Sequence, residues 1–223
     1  MQTETLKPVI NVLLVEDHPM FRERLASIIS KRGDMSVCGE ADNVHDALRC
    51  VERLRPNIAI VDITLRGSNG LDFLKDLKAR EIDLPVLVLS MHDEAIYAER
   101  VLRAGARGYI TKYEASSEVM GAIEQVLNGE VYLSRQMTSR MLGRFAVGKK
   151  GGDTRDVSAL TDRELEVFQR LGRGETARDI ASALHVGITT VDTYRARIKE
   201  KLGLKNGNEL QRRAMEWVRE NPA

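Results

Sequence analysis

The sequence predicts two domains of different class: a doubly wound α/β domain on a five-stranded parallel sheet, then a smaller all-α domain. Three observations carry this. Short apolar runs alternate with amphipathic stretches through the first 127 residues, the pattern of repeated β/α units. Strand-like runs then stop, and only helical periodicity remains from Leu160 onward. Between the two lies "AVGKKGGDTRD", glycine-rich and charged, with the composition of a flexible linker.

The elements run in order along the chain. "VINVLLVE" reads as the first strand and "PMFRERLASIISKR" as its helix. "MSVCGEA" and "NVHDALRCVERLR" form the second pair, and "NIAIVDI" and "GLDFLKDLKAR" the third. "LPVLVLSM" and "DEAIYAERVLRAG" form the fourth, and "RGYITK" and "SSEVMGAIEQVLNG" the fifth. Short helices with short connections suit the flavodoxin-like strand order better than a barrel. "EVYLSRQMTSRMLGRF" adds a further helix pattern. The expected division is an α/β domain over 9–127, a linker with one helix over 128–157, and the all-α domain over 158–223.

Charged residues make up 30% of the 223 and apolar residues 43%, which suits packed cores and excludes wholesale disorder. The net charge of +1 implies no partner, but it is unevenly spread: −4 over residues 1–127, +3 over 128–157 and +2 over 158–223. Cys38 and Cys50 show neither metal spacing nor a disulfide framework, and read as thiols of a reducing compartment. No apolar stretch approaches the roughly 20 residues of a membrane span. The polar start "MQTETLKPV" lacks the apolar core of a signal peptide. The expectation is a soluble cytoplasmic chain with no membrane partner.

In a doubly wound sheet, ligands bind beyond the carboxyl ends of the strands. Glu16 and Asp17 end the first strand and Asp62 ends the third, its neighbour in the expected order. Three carboxylates therefore converge on one crevice, where their repulsion calls for protonation or a cation. A hard divalent ion, most simply Mg²⁺, meets that need. Ser90 ends the fourth strand and Lys112 the fifth. A hydroxyl and an ammonium beside a metal-binding carboxylate suit a phosphoryl group on Asp62, held by an ion pair from Lys112 and a hydrogen bond from Ser90. Asp62 is thus placed as a nucleophile that becomes an acyl phosphate.

In the second domain, Thr161 and Glu164 form a capping box opening a first helix. Leu165, Val167, Phe168 and Leu171 supply its apolar face. "GRGE" breaks it, and Glu175 opens a second helix that turns Ile180, Ala181 and Leu184 inward. After "HVGI" comes a third, with Val191, Ile198 and Leu202 on one face. Thr190, Asp192, Thr193, Ala196 and Arg197 lie opposite. A helix, a short turn and a helix with a polar outer face fit a helix-turn-helix in the major groove of double-stranded DNA. Arg197 is the candidate base or phosphate contact, Tyr194 can hydrogen-bond a phosphate, and Lys201, like Arg195 and Lys199, reads as a phosphate contact or a solvated charge. "NGNELQRRAMEWV" is a fourth helix, with Leu210, Ala214 and Trp217 on one face.

Residues 9–127 resemble the receiver domain of two-component response regulators, on the acidic pair Glu16–Asp17, Asp62, Ser90, Lys112 and the segment "RAGARGYITK". The resemblance implies a sensor histidine kinase as phosphoryl donor. It also implies a metal ligand from the backbone carbonyl of Thr64, and Tyr109 as an aromatic that turns inward on phosphorylation. Most of residues 158–205 resemble the LuxR-type helix-turn-helix, on Leu160–Val167, Ile180–Ala181, Thr190–Val191 and "RARIKEKLG". Together they imply a transcription factor of the NarL/FixJ class that forms a homodimer when phosphorylated. It would be no enzyme beyond slow Mg²⁺-dependent loss of its own phosphoryl group. The chain departs from the pattern at Leu65 and Arg66, where the family usually has Met-Pro, at Tyr113 after the lysine, and at Thr64 and His92, positions that tune phosphoryl lifetime. In the recognition helix it departs at Gly187, Asp192 and Tyr194. A haloacid-dehalogenase-like phosphohydrolase needs a second aspartate where Thr64 stands. An unphosphorylated dimerisation module has no need of the complete set Glu16, Asp17, Asp62, Ser90 and Lys112.

Overall fold

Aliphatic side chains crowd the strands because both faces of a parallel sheet are covered by helices. The computed structural model describes residues 9–91, 94–147 and 157–220. His92 and the linker residues 148–156 lie outside the described residues. The chain divides into two units, Met1–Leu142 and Gly143–Ala223.

The first unit runs β1 (Ile10–Val15), α1 (Pro19–Ser30), β2 (Met35–Ala41), α2 (Val44–Leu54), β3 (Ile58–Asp62), β4 (Thr64–Leu65), β5 (Ser68–Asn69), α3 (Gly70–Ala79), β6 (Val86–Ser90), α4 (Glu94–Ala104), β7 (Gly108–Thr111) and α5 (Ala115–Leu127). The sheet is parallel, in the order β2-β1-β3-β6-β7. With the small β4–β5 hairpin set aside, this is the flavodoxin-like order. Every residue of β3 and β6 is buried. Val12, Leu14, Ile58, Ile60, Leu87 and Leu89 pack on one face against Leu25 and Ile29 of α1 and Val119, Ile123 and Val126 of α5. Leu13, Val61, Val88 and Tyr109, at alternate positions, are equally buried.

Several boundaries differ from the sequence reading. The β4–β5 hairpin was not expected, because two-residue strands carry no periodicity. Gly67 turns it at φ 65°. The helix expected from "EVYLSRQMTSRMLGRF" begins only at Arg135, as α6 (Arg135–Val147), because Tyr132 bridges β7 first.

The second unit holds a short 3-10 turn (Val157–Ala159), α7 (Asp162–Gly172), α8 (Ala177–Ala183), α9 (Ile188–Leu202) and α10 (Gly207–Glu220). The Thr161–Glu164 capping box is present. Glu175 does not open the second helix. Thr176 caps it in a second capping box with Asp179, because a threonine oxygen can accept an N–H that a glutamate in that place leaves unmet. Leu165, Val167, Phe168, Leu171, Ile180, Leu184, Val191, Ile198, Leu202, Leu210 and Ala214 form its core. Trp217 of α10 meets Phe168 edge to face, ring centroids 5.9 Å apart.

Gly70 opens α3 against the end of β3. Its N–H donates to the carbonyl of Ile63 at 2.8 Å, and a Cβ there would stand 2.1 Å from the backbone oxygen of Asp62. Gly70→Ala is expected to cost about 3 kcal/mol, because the contact is with backbone and cannot give way. Urea unfolding monitors this. The first unit's transition should move to lower denaturant while that of the helical unit stays, and an unmoved midpoint would contradict the packing described.

Candidate functional site

A parallel sheet brings all its strand ends to one edge, and that edge assembles the polar groups of the first unit. Glu16 follows β1, Asp62 closes β3, Ser90 closes β6 and Lys112 follows β7. Lys112 Nζ lies 2.6 Å from Glu16 Oε2 and 2.7 Å from Asp62 Oδ2, and all three side chains are at most 5% exposed. The Phe21 ring from α1 lies 4.7 Å from the ammonium. Ser90 is fully buried, and its carbonyl accepts the N–H of Lys112 at 2.8 Å.

Burial governs the electrostatics here. It pushes the Asp62 carboxyl up to about 7; Lys112 pulls it back down and Glu16 pushes it up further. Burial alone would lower the Lys112 ammonium, but Asp62 and Glu16 outweigh it and the net shift is upward. The lysine is therefore charged, and its one ammonium faces the carboxyls of both Glu16 and Asp62. Asp62 Oδ1 is buried without a hydrogen-bond partner. Glu16, Asp17, His18 and Asp62 each offer a ligand atom, all within 4.8 Å of one another. Oxygen donors with excess negative charge and a bare buried oxygen fit a hard divalent cation.

The expected residues Glu16, Asp17, Asp62, Ser90 and Lys112 are thus brought to one edge. His18 follows the acidic pair directly. Its Nδ1 lies 2.8 Å from Asp17 Oδ1 and 3.0 Å from Glu16 Oε1, which makes it part of the cluster. Thr64 sits in the hairpin opposite Asn69. Asn69, which the sequence reading missed, is buried, and its side chain caps α3 by accepting the N–H of Leu71 at 2.9 Å. Tyr109, expected to turn inward in response to phosphorylation, is fully buried already.

In the second unit, α9 presents Asp192, Thr193, Ala196 and Arg197 to solvent, with Thr190 and Tyr194 half-buried. Gly187 caps it without a side-chain bond. Asp192 pairs with Arg195 at 3.1 Å, and Thr193 Oγ1 donates to the carbonyl of Thr189 at 2.9 Å. Lys201, 35% exposed, makes a contact within the unit that the sequence reading did not include. Its ammonium lies 2.6 Å from Glu164 Oε2 of α7, whose side chain is 2% exposed, so it ties two helices together inside the unit. Burial pushes the Glu164 carboxyl up, but the bonds from Lys201 and Thr161 more than compensate and hold it below its usual range. Among the described residues, no helix is long and apolar enough to cross a membrane.

Residues 12–124 match the response regulator receiver domain, and residues 158–214 match the bacterial regulatory proteins of the luxR family. The transcriptional activator protein ExaE of Pseudomonas putida is 34% identical over 207 residues, covering 93% of this chain and 96% of that protein. The DNA-binding transcriptional activator EvgA of Escherichia coli K12 is 29% identical over 197 residues, covering 88% and 93%. The crystal structure of a LuxR-family two-component response regulator from Aurantimonas sp. SI85-9A1 superposes with a TM-score of 0.58 at 28% identity, covering 62% of this chain and 99% of that one.

The raised carboxyl of Asp62 gives stability a pH dependence of known sign. The folded chain holds this proton up to about 7, the unfolded chain only to about 3.8. Without added metal, stability therefore rises as pH falls from 8 to 5, and Asp62→Asn removes on the order of 1–3 kcal/mol of that rise. Urea melts at the two pH values measure it. Equal slopes in both proteins would show that the carboxyl is ionised throughout.

Proposed function

The chain belongs to the response-regulator family, a receiver domain joined to a LuxR-type DNA-binding domain, and from that premise we propose that Asp62 is the phosphoryl acceptor that switches its binding to DNA. It is a transcription factor, and the switch is its means of control. The observation that carries the proposal is the buried trio of Lys112, Glu16 and Asp62, with Ser90 at the next strand end.

The donor is a phosphohistidine of a sensor kinase. An Asp62 carboxylate oxygen attacks phosphorus, the P–N bond breaks as the P–O bond forms, and the imidazole leaves with the electron pair. Lys112 then gains a dianionic partner stronger than a carboxylate, and Ser90 can donate its hydroxyl to the same group. Mg²⁺ fits the carboxylates of Glu16, Asp17 and Asp62 and the carbonyl of Thr64, and would supply charge neutralisation of the phosphoryl oxygens. Water attack on the acyl phosphate returns the free carboxylate slowly, and that is the extent of its catalysis.

The functional division is a receiver over 9–127, a linker over 128–157 and a DNA-binding domain over 158–223. The output is a homodimer on double-stranded DNA in the cytoplasm, with α9 in the major groove. Thr190, Asp192, Thr193, Tyr194 and Arg197 face the DNA. Asp192 can accept from a cytosine amino group. Lys201 leaves the contact set, since its ammonium is bound to Glu164.

Incubation with Mg²⁺ and acetyl phosphate should add roughly 80 Da to the intact chain and nothing to Asp62→Asn. An adduct on both proteins would move the acceptor elsewhere. On a DNA site selected from a random library, Arg197→Ala should weaken binding about tenfold to a hundredfold. Lys201→Met should lower the stability of the helical unit and leave base preference unchanged. Altered base preference in Lys201→Met would return that residue to the interface.

A further inference from the structure

Between α5 and α6 the chain crosses the outer edge of the sheet as a strap, residues 130–134. β7 is the edge strand. Tyr132 bridges it in parallel register opposite Gly108. The N–H of Tyr109 donates to the carbonyl of Tyr132 at 2.9 Å, and the N–H of Tyr132 to the carbonyl of Arg107 at 3.0 Å. Gly108 admits the strap, since a Cβ there would stand 3.1 Å from Tyr132 Cβ and 3.2 Å from its carbonyl oxygen.

Both flanking helices hold the same segment. From α5, Gln125 Nε2 donates to the carbonyl of Val131 at 3.0 Å, and Glu118 accepts from the Tyr132 hydroxyl at 3.4 Å. From α4, Glu94 takes both donors of Ser134: the backbone N–H at 2.8 Å on Oε1 and the hydroxyl on Oε2. Ser134 is also the cap of α6. Its Oγ accepts the N–H of Met137 at 3.1 Å and its carbonyl the N–H of Thr138 at 3.0 Å. Met137, in the first turn, is 2% exposed.

The position of Glu94 gives these contacts a consequence. It is the first residue of α4, four positions after Ser90 in the chain. Ser134 opens the helix that runs toward the boundary of the two units at 142/143. One carboxylate thus joins the segment after the phosphoryl-binding serine to the cap of the helix leading out of the receiver. We propose that Glu94 and Ser134 form a latch. A shift of the α4 N-terminus withdraws the carboxylate, leaves the Ser134 donors unmet and loosens the first turn of α6 and the strap on β7. The coupling rests on the reading of Asp62 as the acceptor; the latch itself does not.

Amide hydrogen exchange on the full chain tests it, in wild type, Glu94→Ala, Glu94→Gln and Ser134→Ala. The Met137 and Thr138 amides should exchange about tenfold faster in Glu94→Ala and Ser134→Ala, with Glu94→Gln between them and wild type. Amides of the inner strands β1, β3 and β6 should stay as slow as in wild type, which shows that the receiver is folded. Acetyl phosphate with Mg²⁺ should speed the same amides in wild type and add nothing further in Glu94→Ala. Unchanged exchange at α6 in both alanine variants overturns the latch. Unchanged exchange in wild type whose intact mass shows the phosphoryl adduct overturns the coupling and leaves the acceptor reading standing. An absent adduct overturns the acceptor reading and the coupling together, while the alanine variants still decide the latch.

Discussion

One lysine sets the terms for the receiver's working edge. Lys112 is buried against two carboxylates, and its ammonium offsets the cost of burying their charge. Even so, this one ammonium is shared between Glu16 and Asp62, and Asp17 stands in the same cluster. Burial, with Glu16 alongside, raises the Asp62 carboxyl against the pull of Lys112, and its Oδ1 is left bare. A site strained toward positive charge can take up a metal cation, and a site with a held ammonium can take up a phosphoryl group. The first follows from the excess of carboxylates, the second from the ammonium.

The architecture explains why these groups meet. Asp62 lies far from Glu16 and Lys112 in sequence, yet one parallel sheet delivers all three to a single edge. The apolar runs that end in those residues are legible because strands buried on both faces must be apolar throughout, and a charged residue closing such a run stands out. The helical unit is legible for a similar reason: Val191, Ile198 and Leu202 repeat on one face and are all buried.

What the sequence does not disclose depends on partners distant in the chain or on elements too short to show a period. The β4–β5 hairpin is of the second kind, and with it Asn69 as a buried cap. Lys201 is of the first. At the end of a basic helix it has the look of a phosphate contact, and only the fold brings Glu164 of α7 against it. Ser134 and Glu94 are of the first kind too, in stretches each unremarkable in composition. His18 is of the first kind in part: a lone histidine after a strand has many local uses, and only the fold shows it beside two of the acids.

The most direct test is a crystal structure of the receiver with Mg²⁺ and beryllofluoride, a stable stand-in for the phosphoryl group. Beryllium is expected on a carboxylate oxygen of Asp62, a fluorine within hydrogen-bond reach of Lys112 Nζ and another within reach of Ser90 Oγ, with the metal among Glu16, Asp17 and Asp62. Beryllofluoride on another carboxylate, or a Lys112 that keeps both of its acids and ignores the fluorines, would contradict it.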